Sequence, residues 1–231
     1  MEKIIIITSF LTIGFANYLQ AQFTQIDLFS GFDKTDFTLY SSYPINEENT
    51  LSIATLAFFQ KFNDKENENF DEAGVQPTLF WNINENIAIG PSLYYNNIAG
   101  YSQRLSAKFT LKNSRVLFVI IPIVAHAHSE QTDAGYAEGF AQFQFNLPIN
   151  DKVFLWLNGQ FLTVWDEFKT HSRSFQQLRT GISFKGHQFG IGLDFDQYGP
   201  NPIEKSSFCL YLSKTPSLLM EMLFDVLYLI V

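Results

Sequence analysis

Residues 174–198 read SFQQLRTGISFKGHQFGIGLDFDQY, with apolar and polar side chains alternating on both sides of a short turn. Apolar residues occupy every second position before Gly186 and resume in the same phase after His187. Such alternation is typical of two antiparallel strands with one apolar and one polar face. The stretch therefore predicts a β-hairpin that turns at Gly186-His187 and sets Arg179 opposite Asp194.

The same alternation recurs along most of the chain, most clearly from Ser102 to Lys112. Over residues 22–214 it predicts about twelve strands, with about ten as the lower bound. Turns after the even-numbered strands are short, and the intervening connections are expected to be mostly longer and more polar. This asymmetry is typical of a membrane barrel. The predicted fold class is therefore all-β, an antiparallel up-and-down transmembrane β-barrel.

Several details of strand pairing follow from the turn lengths. A three-residue turn at 84–86 sets Trp81 opposite Ile89. A three-residue turn at 150–152 sets Gln144 opposite Asn158 and Gln142 opposite Gln160, which would form a ladder of amides. Pro77 cannot donate a ladder hydrogen bond, so we expect it at an unpaired or bulged position.

The two ends of the chain differ from the strand region. Lys3 precedes an apolar run over 4–16, and Ala21 stands before Gln22, so residues 1–21 are predicted to be a secretory signal peptide. The run is shorter than the roughly 20 residues of a spanning helix. Residues 215–231 form an apolar tail that fits either an extra strand or a short helix. Residues 22–214 are expected to form one barrel domain.

Composition narrows the possible partners. The net charge is −8, and much of the acid lies in residues 63–72, which we interpret as solvated surface. Nucleic acid is therefore not an expected partner. The single cysteine, Cys209, excludes an intramolecular disulfide and is expected to pack within a strand.

The export junction LQAQ (residues 19–22), followed by Phe- and Asn-rich strands, resembles that of Gram-negative outer-membrane β-barrels, in particular those of Bacteroidota. The resemblance implies an outer-membrane location, contact with outer-membrane lipid and both termini in the periplasm. A soluble sandwich or a lipocalin-like barrel is the alternative. In such a protein the apolar face of each strand would point inward.

Polar side chains on the alternate face are expected to line the barrel interior. One interpretation is a narrow, porin-like channel that selects small polar solutes. The other is a structural barrel plugged by neutralising pairs, because long side chains fill a small barrel. The candidate lumen residues are Arg104, Lys108, Lys112, Glu138, Gln142, Gln144, Asn158, Gln160, Arg179, Lys185, Asp194 and Asp196.

Two regions of the sequence that contain histidine suggest functions other than a channel, namely metal binding and hydrolysis. His126 and His128 are two residues apart on one strand face, a spacing that suits two ligands of one metal ion. No third ligand is evident, so no metal or other cofactor is predicted and these two remain candidates only.

His171, with Ser172, Ser174 and Asp166 nearby, suggests a Ser/His/acid hydrolase. The alternative function is therefore an outer-membrane hydrolase, phospholipase-like or protease-like, at the extracellular rim. Twelve-stranded outer-membrane phospholipases carry a His-x-Ser pair on a strand, and Arg173 stands where that serine would be. No catalytic residue is assigned on the sequence.

Overall fold

The computed structural model describes residues 23–128 and 133–214, which form twelve antiparallel strands in one closed barrel. The predicted signal peptide and the apolar tail lie outside the described residues. One 3₁₀ helix, Lys65–Phe70, follows the third strand. The strands are β1 (Phe23–Gly31), β2 (Lys34–Pro44), β3 (Leu51–Phe62), β4 (Glu72–Asn82), β5 (Ile87–Asn96), β6 (Gly100–Lys112), β7 (Val116–His128), β8 (Asp133–Pro148), β9 (Val153–Asp166), β10 (Thr170–Phe184), β11 (His187–Tyr198) and β12 (Ile203–Lys214).

Each strand pairs with its neighbours in sequence, and β1 closes the sheet by pairing with β12 from Ile26–Lys214 to Gly31–Cys209. Closure leaves no strand edge, so the backbone groups of both terminal strands are used in the ladder. Gly31 permits the close approach of β12, since a Cβ there would lie 2.3 Å from Cys209 Sγ. Cys209 is buried in β12, as predicted.

The apolar face of the strands points outward. On β11, Leu193 is 43% exposed, whereas its neighbour Asp194 is 1% exposed. Leu105 and Arg104 on β6 show the same contrast. Outward apolar and inward polar faces are the arrangement of a barrel surrounded by lipid. The soluble alternative, which requires the apolar faces inside, is therefore wrong. Among the described residues, no helix is long and apolar enough to cross a membrane.

The β10–β11 hairpin turns at Lys185-Gly186, one residue earlier than the predicted Gly186-His187 turn. Lys185 and Gly186 have φ of 47° and 76°, and Phe184 pairs with His187. Positive φ at both central residues defines a two-residue turn whose twist matches that of the strands. The local turn geometry therefore shifts the register that the Gly-His dipeptide suggested.

That shift changes the cross-strand partners. Arg179 faces Gly192, and Asp194 faces Gln177. The predicted Arg179–Asp194 pairing is therefore wrong, although both side chains are buried.

The other register predictions are confirmed. Trp81 pairs with Ile89, and Gln144 pairs with Asn158. The β4–β5 ladder is interrupted at positions 76–77 and 79–80 of β4; Pro77 lies in the first gap, and Pro91 of β5 lies opposite the second. Both prolines lack an N–H for the ladder, which explains the gaps.

The connections are less asymmetric than predicted. We call the end with the β2–β3, β4–β5, β6–β7, β8–β9 and β10–β11 turns the turn end, and the opposite end the loop end. Of the described loop-end connections, that between β3 and β4 (residues 63–71) is long, whereas β1–β2, β5–β6 and β9–β10 are as short as the turns. The strands continue past the apolar band because backbone pairing does not require apolar side chains.

The outward apolar band predicts a depth-dependent cost of charge. Leu193→Lys, at the middle of β11, is expected to lower the free energy of unfolding by about 2–4 kcal/mol, and Ile203→Lys, at the loop-end start of β12, by about 0–1 kcal/mol. Urea unfolding in lipid vesicles measures both. Equal losses for the two variants would contradict a lipid-facing band.

Candidate functional site

An ion pair crosses the barrel interior. Arg173 on β10 contacts Glu72 on β4 through Nη1 and Oε2. These strands are six positions apart in either direction around the closed barrel, so the pair joins opposite walls. The side chain of Glu72 is 6% exposed and that of Arg173 is 17% exposed. The pair therefore obstructs the lumen near the loop end, where β4 begins.

A second group of charges surrounds Lys34 at the start of β2. Its Nζ lies 2.6 Å from Asp194 Oδ2, 2.6 Å from Asp196 Oδ2 and 3.2 Å from Asp36 Oδ2. The ammonium also donates to Gln60 Oε1 at 3.1 Å. Lys34 is 1% exposed, so one buried cation contacts three carboxylates and neutralises part of their charge.

Towards the turn end, aromatic side chains fill the interior. Trp156 of β9 stacks on Tyr211 of β12, with ring centroids 4.9 Å apart and planes 5° apart. The guanidinium carbon of Arg179 lies 4.7 Å from the Tyr211 centroid and 5.2 Å from that of Phe29. Asp27 binds this layer, because Tyr211 Oη donates to it at 2.9 Å and Arg179 Nη1 lies 3.5 Å away.

The opposite wall carries a separate ion pair. Arg104 Nη2 lies 3.1 Å from Glu138 Oε2, and Arg104 Nε donates to Tyr136 Oη at 3.0 Å. The Arg104 guanidinium carbon is 3.6 Å from the Tyr94 ring centroid. Tyr94 Oη in turn donates to Glu72 Oε1 at 3.4 Å, which connects this wall to the crossing pair.

These contacts join into one set that we call the lumen network. Gln177 of β10 accepts a hydrogen bond from Arg179 on the same strand and donates one to Asp194 of β11 at 2.7 Å. It therefore connects the aromatic layer around Arg179 to the Lys34 group. Arg173 Nη2 lies 3.8 Å from Asp196 Oδ1, which joins the Lys34 group to the crossing pair. The lumen network comprises Asp27, Lys34, Asp36, Gln60, Glu72, Tyr94, Arg104, Tyr136, Glu138, Arg173, Gln177, Arg179, Asp194, Asp196 and Tyr211.

The structure places five of the predicted lumen residues in this network: Arg104, Glu138, Arg179, Asp194 and Asp196. Other candidates lie nearby without an ion pair to it. Lys108 Nζ is 4.5 Å from the Phe80 ring centroid, and Asn158 is 2% exposed. Gln142 pairs with Gln160, and Gln144 Nε2 donates to Asn146 Oδ1 at 3.4 Å.

Lys112 and Lys185 are exposed at the turn end. Lys112 is the last residue of β6, and Lys185 lies in the β10–β11 turn, with its Nζ 5.4 Å from the Phe184 ring centroid. Neither therefore contacts the lumen network, since both stand where the chain leaves the sheet.

Sequence reasoning missed the residues at strand starts. The sequence predicts that residues 63–72 are solvated surface, yet Glu72 is the buried first residue of β4. Lys34, which is absent from the predicted lumen residues, is the buried first residue of β2. One feature of the sequence could have identified both residues. Each is a charged residue directly before an alternating stretch, at a position that continues the polar face of that stretch.

A small cavity opens beside the network at the loop end. Its volume is about 230 Å³, and its lining includes Lys34, Asp196, Asn67, Glu204 and Lys205. Lys205 Nζ donates to Asn67 Oδ1 at 2.6 Å, which ties the β3–β4 connection to β12. The connection therefore narrows the mouth of the barrel on this side.

The two histidine neighbourhoods lie elsewhere. His126 and His128 are exposed on β7, with ring centroids 4.7 Å apart. Within residues 23–128 and 133–214, no group of three His, Cys, Asp or Glu is placed to hold a metal ion. His171 lies on the outer face of β10, close to Ser174.

The closed sheet, its apolar exterior and its charged interior define a transmembrane β-barrel. No protein-family model and no curated protein matches the sequence. The chain is similar to the solved NanC porin at 11% identity (TM-score 0.49, 83% of this chain and 98% of that one). It is also similar to LpxR from Salmonella typhimurium at 7% identity (TM-score 0.45, 84% and 99%) and to the KdgM porin at 7% (TM-score 0.46, 83% and 98%).

Removal of the buried ammonium tests the network. Lys34→Met removes the ammonium that contacts Asp36, Asp194 and Asp196 and is expected to lower the free energy of unfolding by about 3–5 kcal/mol. Urea unfolding followed by tryptophan fluorescence measures the loss. Lys61→Met is the matched control, because Lys61 pairs with Asp71 with 56% of its side chain exposed, and it is expected to cost about 0–1 kcal/mol.

Adding Asp194→Asn and Asp196→Asn to Lys34→Met should restore part of the lost stability, because fewer uncompensated charges remain buried. A Lys34→Met protein as stable as Lys61→Met would show that the carboxylates do not need the ammonium.

Proposed function

We propose that this protein is a narrow outer-membrane channel for small polar solutes, held in a constricted state by the lumen network. The observation that carries the proposal is the Arg173–Glu72 pair, which joins opposite walls of a barrel with a polar interior. Charged side chains that cross a lumen set both its width and its selectivity. A channel of this kind passes small solutes slowly until the crossing pair separates.

The loop end is assigned to the cell exterior, with both termini in the periplasm, as the export signal and the resemblance to Bacteroidota barrels imply. Solutes then meet the cavity beside Lys34 and Asp196 before they reach the crossing pair. The interior carries both signs of charge, so we expect weak preference between anions and cations and strong dependence on solute size.

The plugged structural barrel is the competing function. It is favoured by the stacked Trp156 and Tyr211 rings, which occupy the interior nearer the turn end. The two functions differ in one respect that can be measured. A channel conducts when its crossing pair is removed, whereas a barrel filled along its length does not.

Planar-bilayer recordings of the purified protein decide between them. The wild-type protein is expected to give small conductance steps, and the double variant Glu72→Ala/Arg173→Ala steps that are several-fold larger, because the crossing side chains are gone. Lys169→Ala is the control, since Lys169 pairs with Glu167 on the exposed loop-end surface. It should leave conductance unchanged.

The result that would reject the channel is the absence of conductance and of solute efflux from liposomes in both the wild type and the double variant. Heat-modifiable gel mobility of the same samples establishes that each barrel is folded.

A further inference from the structure

His171 and Ser174 share the outer face of the barrel because of a β-bulge. The β9–β10 register shifts between His171, which pairs with Trp165, and Arg173, which pairs with Val164. Ser172 is the extra residue in β10. Residues three apart on a regular strand point to opposite faces, whereas one inserted residue returns them to the same face. The sequence has no His-x-Ser pair at this point, because Arg173 stands two residues after His171. The bulge nevertheless brings Ser174, three residues after His171, next to the histidine ring.

The hydrogen bonds around this pair fix the role of each atom. His171 Nδ1 is 2.7 Å from the carbonyl oxygen of Gly199, which only accepts, so Nδ1 carries the hydrogen. In the neutral ring Nε2 is then an acceptor, and it lies 2.9 Å from Ser174 Oγ. This is the arrangement of a nucleophile, a general base and a group that orients the base.

Two further side chains position the serine. Trp165 Nε1 donates to Thr163 Oγ1 at 3.0 Å, and Ser174 Oγ donates to the same oxygen at 3.1 Å. Thr163 Oγ1 therefore accepts from both side chains and holds the serine hydroxyl in place. Rotation about the Cβ–Oγ bond moves the serine hydrogen from Thr163 to His171 Nε2, which lies 2.9 Å from Ser174 Oγ. The Trp165 ring also meets the His171 ring edge to face, with centroids 5.7 Å apart.

A donor for the reacting oxygen stands on the next strand. Gln197 of β11 lies directly opposite Ser174 on the outer face, a position at which side chains begin about 4.5–5.5 Å apart. One N–H of its amide is used by Glu204 Oε1 at 3.3 Å. The second N–H is available to an oxyanion formed beside Ser174.

The position of the His171–Ser174 pair on the barrel indicates which molecules can reach it. Outward residues of β10 change from Leu178, which is 41% exposed, to Gln176 and Ser174 on approach to the loop end. Trp165 and Phe168 are exposed beside the site, as aromatic residues are at a membrane–water boundary. We therefore expect a group at this height to face the carbonyl region of the surrounding lipid.

We propose that Ser174 and His171 form the catalytic pair of an O-acyl ester hydrolase that acts on a membrane amphiphile at the outer face of the barrel. Ser174 Oγ attacks the ester carbonyl carbon as its proton passes to His171 Nε2. The carbon–oxygen bond to the alcohol breaks, and Nε2 returns the proton to the leaving oxygen. Water then attacks the acyl-serine, His171 takes its proton, and the free acid and Ser174 are regenerated.

A fluorophosphonate probe and a medium-chain p-nitrophenyl ester test the pair in the purified, folded protein. The probe is expected to label Ser174, identified by peptide mass. Ser174→Ala and His171→Gln should each lower ester turnover by about 100-fold or more. Ser172→Ala is the matched control, since Ser172 lies between the two and outside the hydrogen-bond chain, and it should keep the wild-type rate.

Two arms distinguish the ester source. Fatty acid released from phosphatidylethanolamine vesicles identifies glycerophospholipid as the substrate, and acyl chains released from lipopolysaccharide identify its lipid anchor. Release from neither overturns the substrate class. No label on Ser174 in the folded protein, or wild-type turnover in Ser174→Ala, overturns the catalytic pair. Neither result depends on whether the lumen conducts.

Discussion

Closure of the sheet between β1 and β12 is the constraint on which the rest of this structure depends. A strand edge exposed to lipid would leave backbone N–H and C=O groups without partners, at a cost of several kcal/mol each. Once β1 pairs with β12, as far as Gly31 opposite Cys209, the sheet has no free edge. It then has only an outer and an inner surface. Alternation then forces every second side chain outward to lipid and the others into a shared interior.

The shared interior explains the lumen network. Charges such as Lys34 and Asp194 are in phase with the inward face, so closure buries them together. A buried charge is tolerated when it has a partner of opposite sign. In a barrel of twelve strands, Arg and Glu side chains are long enough to meet across the interior, and Arg173 and Glu72 do so. The same contacts that stabilise the barrel therefore restrict passage through it.

The bulge at Ser172 shows how a local irregularity gives one strand two uses. On one side of it, Arg173 keeps the inward phase and joins the lumen network. On the other, His171 points outward and meets Ser174 beside the lipid. The outer face therefore gains a hydrogen-bonded Ser–His pair without any change in the interior.

Alternation in the sequence determined the fold class, the strand number and most of the pairing, because both the side-chain period and the turn lengths are local properties. It also identified inward charges such as Arg104 and Asp196. Only the tertiary structure decided which charges meet, since Glu72 and Arg173 are far apart in sequence and join only after closure. It also decided the hairpin register and the phase of His171, because a positive φ at Lys185 and one extra residue in β10 leave no periodic signal.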